Sequence, residues 1–273
     1  MDETPPKTLL QVRDLAVTFP GAGNHAEPVV ALDGVSFDID SGQSVALVGE
    51  SGSGKSTVAV SILGLLEFSG PHDLQGSIRL SSDGGKQREL TRLPASEMSR
   101  IRGNDIAIVF QNPTSALNPV MTVGRQIAEV YEIHQKLRLR TARLAALDVL
   151  ARVRMPDVKT VYGRYPHELS GGMQQRAMIA MAIACRPRLL IADEPTTALD
   201  VTLQAQILDL LAGLREELGM SLLLITHDVG VVAQTAEVVH VMTAGRIVES
   251  GPVHTVLTAP KHVYTKSLLA CLP

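Results

Sequence analysis

The sequence predicts an α/β fold built on a mainly parallel sheet, with an amino-terminal β region and a helical insert. Three observations carry this. The apolar run Ser44-Val45-Ala46-Leu47-Val48 leads directly into the glycine-rich loop Gly49-Glu50-Ser51-Gly52-Ser53-Gly54-Lys55-Ser56. A short, continuous apolar run ending at a turn signal marks a strand buried on both faces. Leu189-Leu190-Ile191-Ala192 and Leu222-Leu223-Leu224-Ile225 repeat that signal, and between them Leu203, Ile207, Leu210, Leu211 and Leu214 trace one helical face. Strand, helix, strand is the alternation of a parallel sheet with covering helices. Third, from Thr122 to about Val153 the apolar spacing is helical, with little strand character.

Taken in order, Leu15, Val17 and Phe19 alternate as in a strand, and a second β segment, Val29 to Ile39, follows the Pro/Gly-rich loop from Pro20 to Pro28. A helix is expected from Lys55 to about Leu66. Gly84-Gly85 suggests a surface hairpin or loop, and Asp105 to Phe110 a further buried strand. Ser170 suits a helix N-cap, with a helix running on to Cys185. One core domain over residues 8–257 is predicted, interrupted by a helical insert at about 112–180 and followed by a short tail, 258–273. No internal repeat or low-complexity tract is visible.

Bulk properties exclude several classes. The 273 residues carry a formal net charge of -3, which gives no footprint for nucleic acid. The opening Met1-Asp2-Glu3-Thr4-Pro5-Pro6 is acidic and lacks an apolar core, unlike a secretory signal. Apolar stretches such as Met178 to Cys185 fall short of the ~20 residues that span a bilayer. The two cysteines, Cys185 and Cys271, form no disulfide framework. A cytoplasmic chain that meets a membrane through partners is expected.

The glycine-rich loop fits G-x-x-x-x-G-K-[ST], in which backbone N–H groups wrap phosphates and the glycines allow close approach. In that chemistry Lys55 reaches the β- and γ-phosphates and the Ser56 hydroxyl binds Mg²⁺. Leu189 to Asp193 is an apolar strand ending in an acid, as in a Walker B motif. Asp193 then holds Mg²⁺ and Glu194 accepts a proton from the attacking water. His227 and Gln111 each follow a predicted strand, where ligands of open α/β sheets gather. A buried polar cap on the strand is the alternative for Gln111.

Leu169-Ser170-Gly171-Gly172-Met173-Gln174-Gln175-Arg176 is similar to the signature sequence of the ATP-binding cassette (ABC) ATPases, and the resemblance spans about residues 9 to 270. It implies a P-loop NTPase core of mainly parallel sheet, an amino-terminal antiparallel β region and an inserted helical subdomain, the ABC nucleotide-binding domain. It further implies ATP and Mg²⁺ as cofactors. His227 would be the switch histidine at the γ-phosphate. Gln111 would be the Q-loop glutamine, a ligand of Mg²⁺ and of the attacking water that links both to the insert. The P-loop, including Gly49, Glu50, Ser51, Gly52, Ser53, Gly54, Lys55, Ser56 and Thr57, would bind one face of the nucleotide. Ser170, Gly171, Gly172 and Gln174 of a second protomer would close the other. Asp200, in Thr197-Ala198-Leu199-Asp200, would cross that interface as the D-loop. Phe19 lies where the family stacks an aromatic on adenine; a core position is its alternative.

The texture of Phe110 to Gly124, of Tyr165-Pro166-His167-Glu168 and of the tail Val263-Tyr264-Thr265-Lys266-Ser267-Leu268-Leu269 resembles the ATPase subunits of dipeptide/oligopeptide and nickel importers. This implies an ATP-hydrolysing motor on the cytoplasmic face of the membrane. Its partners would be a second, related ATPase, two permeases and, indirectly, an extracytoplasmic solute-binding protein. A nickel or metallophore importer is the alternative within that group, and a soluble ABC ATPase acting on DNA or ribosomes the rival from outside it. An iron–sulfur cluster normally takes four thiolates, and Cys271 alone stands in the tail, so none is expected.

Overall fold

The computed structural model describes residues 8–21, 27–82, 86–197 and 199–270. The Met1 to Pro6 opening, Gly84-Gly85, Ala198 and Cys271 lie outside them. The chain divides into two compact units. One comprises the segment up to Met98 together with that from Ser221 onward, and the other runs from Ser99 to Met220.

The first unit opens with β1 (Thr8–Phe19) and β2 (Val29–Asp40), which pair antiparallel. Then come β3 (Ser44–Val48) and α1 (Lys55–Ile62). β4 (Asp73–Ser81) pairs with the other side of β1, and β5 (Gln87–Glu89) lies beside β4. The alternation at Leu15 and Val17 is only the later half of β1. Leu10 and Val12, in the opposite phase, are also fully buried. An extra residue resets the phase: the register slips between Arg13 and Ala16, and Asp14 has φ 48°. A bulge of this kind lets both halves of a strand face one core. Gly76 on β4 permits it, since a Cβ there would stand 2.5 Å from the Asp14 carbonyl oxygen. Helix α1 stops short of Leu66 because Gly64 takes φ 59°, and a 3₁₀ turn, Leu66–Phe68, follows.

After α2 (Ala95–Ile101), the second unit contains β6 (Ile106–Val109), α3 (Pro113–Ala116), α4 (Val123–Gln135), α5 (Leu139–Arg152), α6 (Val158–Tyr162), α7 (Gly171–Ile183), β7 (Leu189–Asp193) and α8 (Val201–Leu218). β6 and β7 are parallel, with Ile106 opposite Leu189 and Val109 opposite Ala192. The helical spacing from Thr122 to Val153 resolves into two helices, α4 and α5. Lys136 caps α4 in the left-handed region at φ 56°, and α5 starts three residues later with a buried stripe of Ala142, Ala146, Val149 and Leu150. Ahead of α4, the buried Gln126 amide donates to the Asn118 and Met121 carbonyls, both at 3.0 Å, and accepts from the Asn118 N–H at 2.8 Å. That spends its hydrogen-bonding capacity on shaping one loop. α8 has the ends its sequence announces: Asp200 caps the first turn, and Gly219 at φ 64° stops the last.

The first unit resumes with β8 (Ser221–Thr226), α9 (Val229–Thr235), β9 (Val238–Thr243), β10 (Arg246–Pro252), α10 (Val253–Thr258) and α11 (Val263–Ala270). β3 lies between β8 and β9, parallel to both, and every residue of β3 and β8 is buried. β9 turns into antiparallel β10 through Ala244 and Gly245, at φ 46° and 77°. Two successive positive φ values match the twist of a tight hairpin. Among the described residues no helix is long and apolar enough to cross a membrane.

His240 of β9 gives this unit an acid sensitivity. Its ring is 7% exposed, Nδ1 bonds Ser250 Oγ at 2.8 Å, and Nε2 has no hydrogen-bond partner. A protonated ring would bury a cationic N–H without an acceptor, and desolvation lowers its pKa to about 4. The unfolded chain takes up this proton near pH 6.5 and the folded chain only near 4. Stability is therefore full above the unfolded value and falls as pH drops through that window, by on the order of 3 kcal/mol. His240→Gln is expected to flatten the decline of Tm between pH 6.5 and 4, as read by thermal melts. An unchanged slope would remove His240 as its cause.

Candidate active site

In the first unit the site begins where β3 ends. Gly49 is buried against β9, and a Cβ there would stand 2.0 Å from the Met242 carbonyl oxygen. Gly54, at φ 102°, is the N-cap of α1, and a Cβ would lie 2.6 Å from the Ala31 carbonyl oxygen. Only glycine fits at either position. Between them the Lys55 side chain, 4% exposed, folds back over the loop. Its ammonium donates to the carbonyls of Gly49 and Glu50, both at 2.8 Å, and to Ser53 Oγ at 3.4 Å. The loop is braced from outside by the β9–β10 hairpin, whose Gly245 N–H donates to the Ser53 carbonyl at 3.0 Å. Ser56 is exposed and Thr57 half-buried in the first turn of α1. A backbone loop wrapped ahead of a helix N-terminus, with a cation inside it, is a fitting receptor for a polyphosphate.

Two further expected residues lie in this unit. His227 directly follows β8 and is exposed, while the next residue, Asp228, caps α9 by accepting from the Gly230 N–H at 2.8 Å. Phe19 is the last residue of β1, opposite Val29, and is half-buried where Leu15 and Val17 are fully buried.

The second unit carries an acid cluster. Asp193, 8% exposed, is the last residue of β7, and Glu194 follows with φ 47°. A non-glycine residue in the left-handed region costs on the order of 1–2 kcal/mol. Here the strained backbone turns the carboxylate out of the strand. Glu194 Oε2 accepts from Gln111 Nε2 at 2.7 Å and from Thr197 Oγ1 at 2.9 Å. Gln111 is thus exposed after β6 and donates to the acid, instead of serving as a buried strand cap. Thr197 was expected only as part of the D-loop; sequence spacing gives no hint of its bond to Glu194.

Ser170 occupies the N-cap of α7 without a side-chain cap bond, Gly171 is exposed, and Gly172 is packed 3.3 Å (measured to a would-be Cβ) from Leu203 of α8. A free hydroxyl and a bare first turn suit an anion. Gln174 turns inward: Nε2 donates to the carbonyls of Pro166 at 2.8 Å and Leu169 at 3.2 Å, and Oε1 accepts from Thr114 Oγ1 at 3.0 Å. The neighbouring Gln175, 2% exposed, donates to the Pro195 carbonyl at 2.6 Å and so ties α7 to the segment after Glu194. Asp200 accepts from the Leu203 N–H at 2.9 Å.

A phosphate-type loop, a strand-end acid pair and a bare helix N-terminus define a nucleotide-hydrolysing α/β protein. Comparison with known proteins sharpens that class. The family model described as ABC transporter matches residues 32–197. The chain is 46% identical to the oligopeptide transport ATP-binding protein AppD of Bacillus subtilis, over 97% of this chain and 79% of the relative. It is 51% identical to the peptidoglycan transport ATP-binding protein YejF of Agrobacterium fabrum, over the whole of this chain and 48% of that longer relative. A solved dimeric structure of the ATP-binding cassette MJ0796, in a post-hydrolysis state bound to ADP and Pi, is similar with TM-score 0.75 and 28% identity. The match covers 90% of this chain and 99% of that one. The chain belongs to the ABC transporter family, as an ATP-binding cassette, and its enzyme class is ATPase.

Proposed function

We propose that the chain is the ATP-hydrolysing motor subunit of an ABC importer that takes up peptides. The observation that carries the motor role is Glu194, whose carboxylate is turned out of the strand and held by Gln111 and Thr197. A carboxylate fixed in this way can take the proton of an attacking water. The peptide class is supported by the relatives, which are named for oligopeptide and peptidoglycan transport.

In this reading Gly49 to Thr57 cradles the phosphates, Lys55 neutralises them, and Phe19 stacks on the base. His227 donates toward the terminal phosphate. Ser56, Gln111 and Asp193 would hold Mg²⁺, which supplies charge neutralisation across the phosphates. Ser170, Gly171 and Gly172 meet the nucleotide held by a second cassette, so each functional site is completed by two chains. Gln174 then acts by bracing that helix start, and Asp200 sits at the interface. Residues 8–257 form the nucleotide-binding domain and 258–273 its tail. Residues 112–180 would pass closure to two permeases; the 80% exposure of Val120 just before α4 suits a docking surface. The second cassette would be a paralogue, and a solute-binding protein outside the membrane would deliver the peptide. In this reading the chain works on the cytoplasmic face of the membrane.

The test is a mild-detergent pull-down of the tagged full chain carrying Glu194→Gln, with ATP present. Multi-spanning permeases and a second related ATPase are expected with it. Recovery from the soluble fraction with ribosomes or DNA would overturn the importer reading.

A further inference from the structure

The residue that holds the phosphate loop from outside comes from the far end of the chain. Tyr264 of α11 is half-buried, packed against a core cluster that includes Val48 of β3 and Val239 and Val241 of β9. Its hydroxyl oxygen accepts the backbone N–H of Glu50 at 3.0 Å. That N–H belongs to the Gly49–Glu50 peptide group, whose carbonyl accepts the Lys55 ammonium at 2.8 Å. One peptide plane is thereby clamped at both ends, by the loop lysine on its oxygen and by the tail tyrosine on its nitrogen. Two hydrogen bonds on one peptide plane restrict its rocking about the flanking φ and ψ more than either bond alone.

The placement of Tyr264 is itself built. Glu249 of β10 accepts the N–H groups of Lys261 at 2.8 Å and His262 at 3.0 Å, one on each carboxylate oxygen, immediately before α11. His262 Nδ1 accepts the Tyr264 N–H at 3.2 Å. Leu268, one turn further along α11, packs on the same core cluster as the tyrosine. The hydroxyl therefore reaches the loop from a helix fixed at its start and along one face.

We propose that Tyr264 is a positioning residue for nucleotide binding, holding the Gly49–Glu50 peptide group so that the cradle is formed before the phosphates arrive. This rests on the reading of Gly49 to Thr57 as the phosphate cradle. When Lys55 turns to a phosphate, the carbonyl end of the plane is released and the tyrosine keeps the nitrogen end in place. Preorganisation of this kind raises affinity without adding a contact to the ligand. Its effect falls on binding, with little change in turnover once the site is filled.

The experiment compares wild-type full-length chain with Tyr264→Phe, which deletes the acceptor and keeps the ring packed. Binding is read with a fluorescent ATP analogue, alongside ATPase kcat and KM and a thermal melt. A neutral hydrogen bond of ordinary strength predicts about three- to tenfold weaker nucleotide affinity, with KM rising in parallel. kcat should stay within about twofold and Tm within a few degrees. A merely structural tyrosine would lower Tm and leave affinity alone. Unchanged affinity and KM in a folded Tyr264→Phe protein would overturn the proposal. If that variant does not fold, Glu249→Gln, which weakens the anchor of α11, is measured the same way. Reduced affinity then supports the proposal, and unchanged affinity overturns it. Failure of the wild-type chain to bind the analogue would instead overturn the cradle reading, and this proposal with it.

Discussion

Replacing Glu194 with glutamine is expected to lower steady-state ATP turnover by about 10²- to 10⁴-fold while leaving ATP binding intact. The amide is nearly isosteric, and its oxygen can still accept from Gln111 and Thr197, which donate to the carboxylate at 2.7 and 2.9 Å. The loop after β7 should therefore keep its shape, including the left-handed backbone at residue 194. What is lost is basicity: an amide oxygen does not take a proton from water at neutral pH. Binding without turnover should accumulate the ATP-held dimer, visible as a shift in gel filtration that requires nucleotide. The decisive comparison is ATPase rate against equilibrium ATP affinity. Near-normal hydrolysis in the variant would remove Glu194 from the role of base.

Lys55→Ala is expected to act one step earlier, on binding. The wild-type ammonium is almost wholly buried and within hydrogen-bond reach of three loop oxygens. Exchanging carbonyls for phosphate oxygens turns neutral acceptors into charged ones, and hydrogen bonds between charged groups contribute roughly 1.5–3 kcal/mol. Losing one or more of these predicts ATP affinity weakened by about ten- to 150-fold. The substitution also removes the ammonium from the Gly49 and Glu50 carbonyls, leaving the Glu50 carbonyl only the Ser53 N–H at 3.2 Å, so a lower Tm should accompany it. Equilibrium titration with a fluorescent nucleotide reads the first effect and a thermal melt the second. An unchanged dissociation constant would end the assignment of Lys55 to the phosphates.

The parts of the fold that could be read from sequence are those whose signal is local. β3, β7 and β8 are wholly buried, so burial wrote them as unbroken apolar runs. α8 carries its own punctuation in Asp200 and Gly219. Other features depend on contacts that spacing does not encode. The break between α4 and α5 falls at Lys136, a residue type that gives no warning of a left-handed cap. β10 has no buried residue and mixes polar with apolar side chains, so its pattern is faint, and the turn before it contains a single glycine. The bulge at Asp14 is intelligible only beside Gly76 of the partnering strand. The site follows the same division. The phosphate loop and the strand-end acids announce themselves as motifs. The bond from Thr197 to Glu194, the inward turn of Gln174 and the support from Met242 and Gly245 are products of folding.

The distance along the chain between Glu50 and Tyr264, 214 residues, also sets an order of events during synthesis. β3 is flanked by strands that begin only at Ser221 and Val238, and its loop is braced by Gly245. A ribosome adding about 5–20 residues per second needs roughly 10–40 s to travel from the loop to the tyrosine that clamps it. Until those segments have been made the glycine-rich loop lacks the strands and the Gly245 bond that brace it, and a nascent chain halted before α11 has no clamp on the Glu50 N–H. The clamp on the Glu50 N–H is thus among the later contacts that the phosphate loop acquires during synthesis.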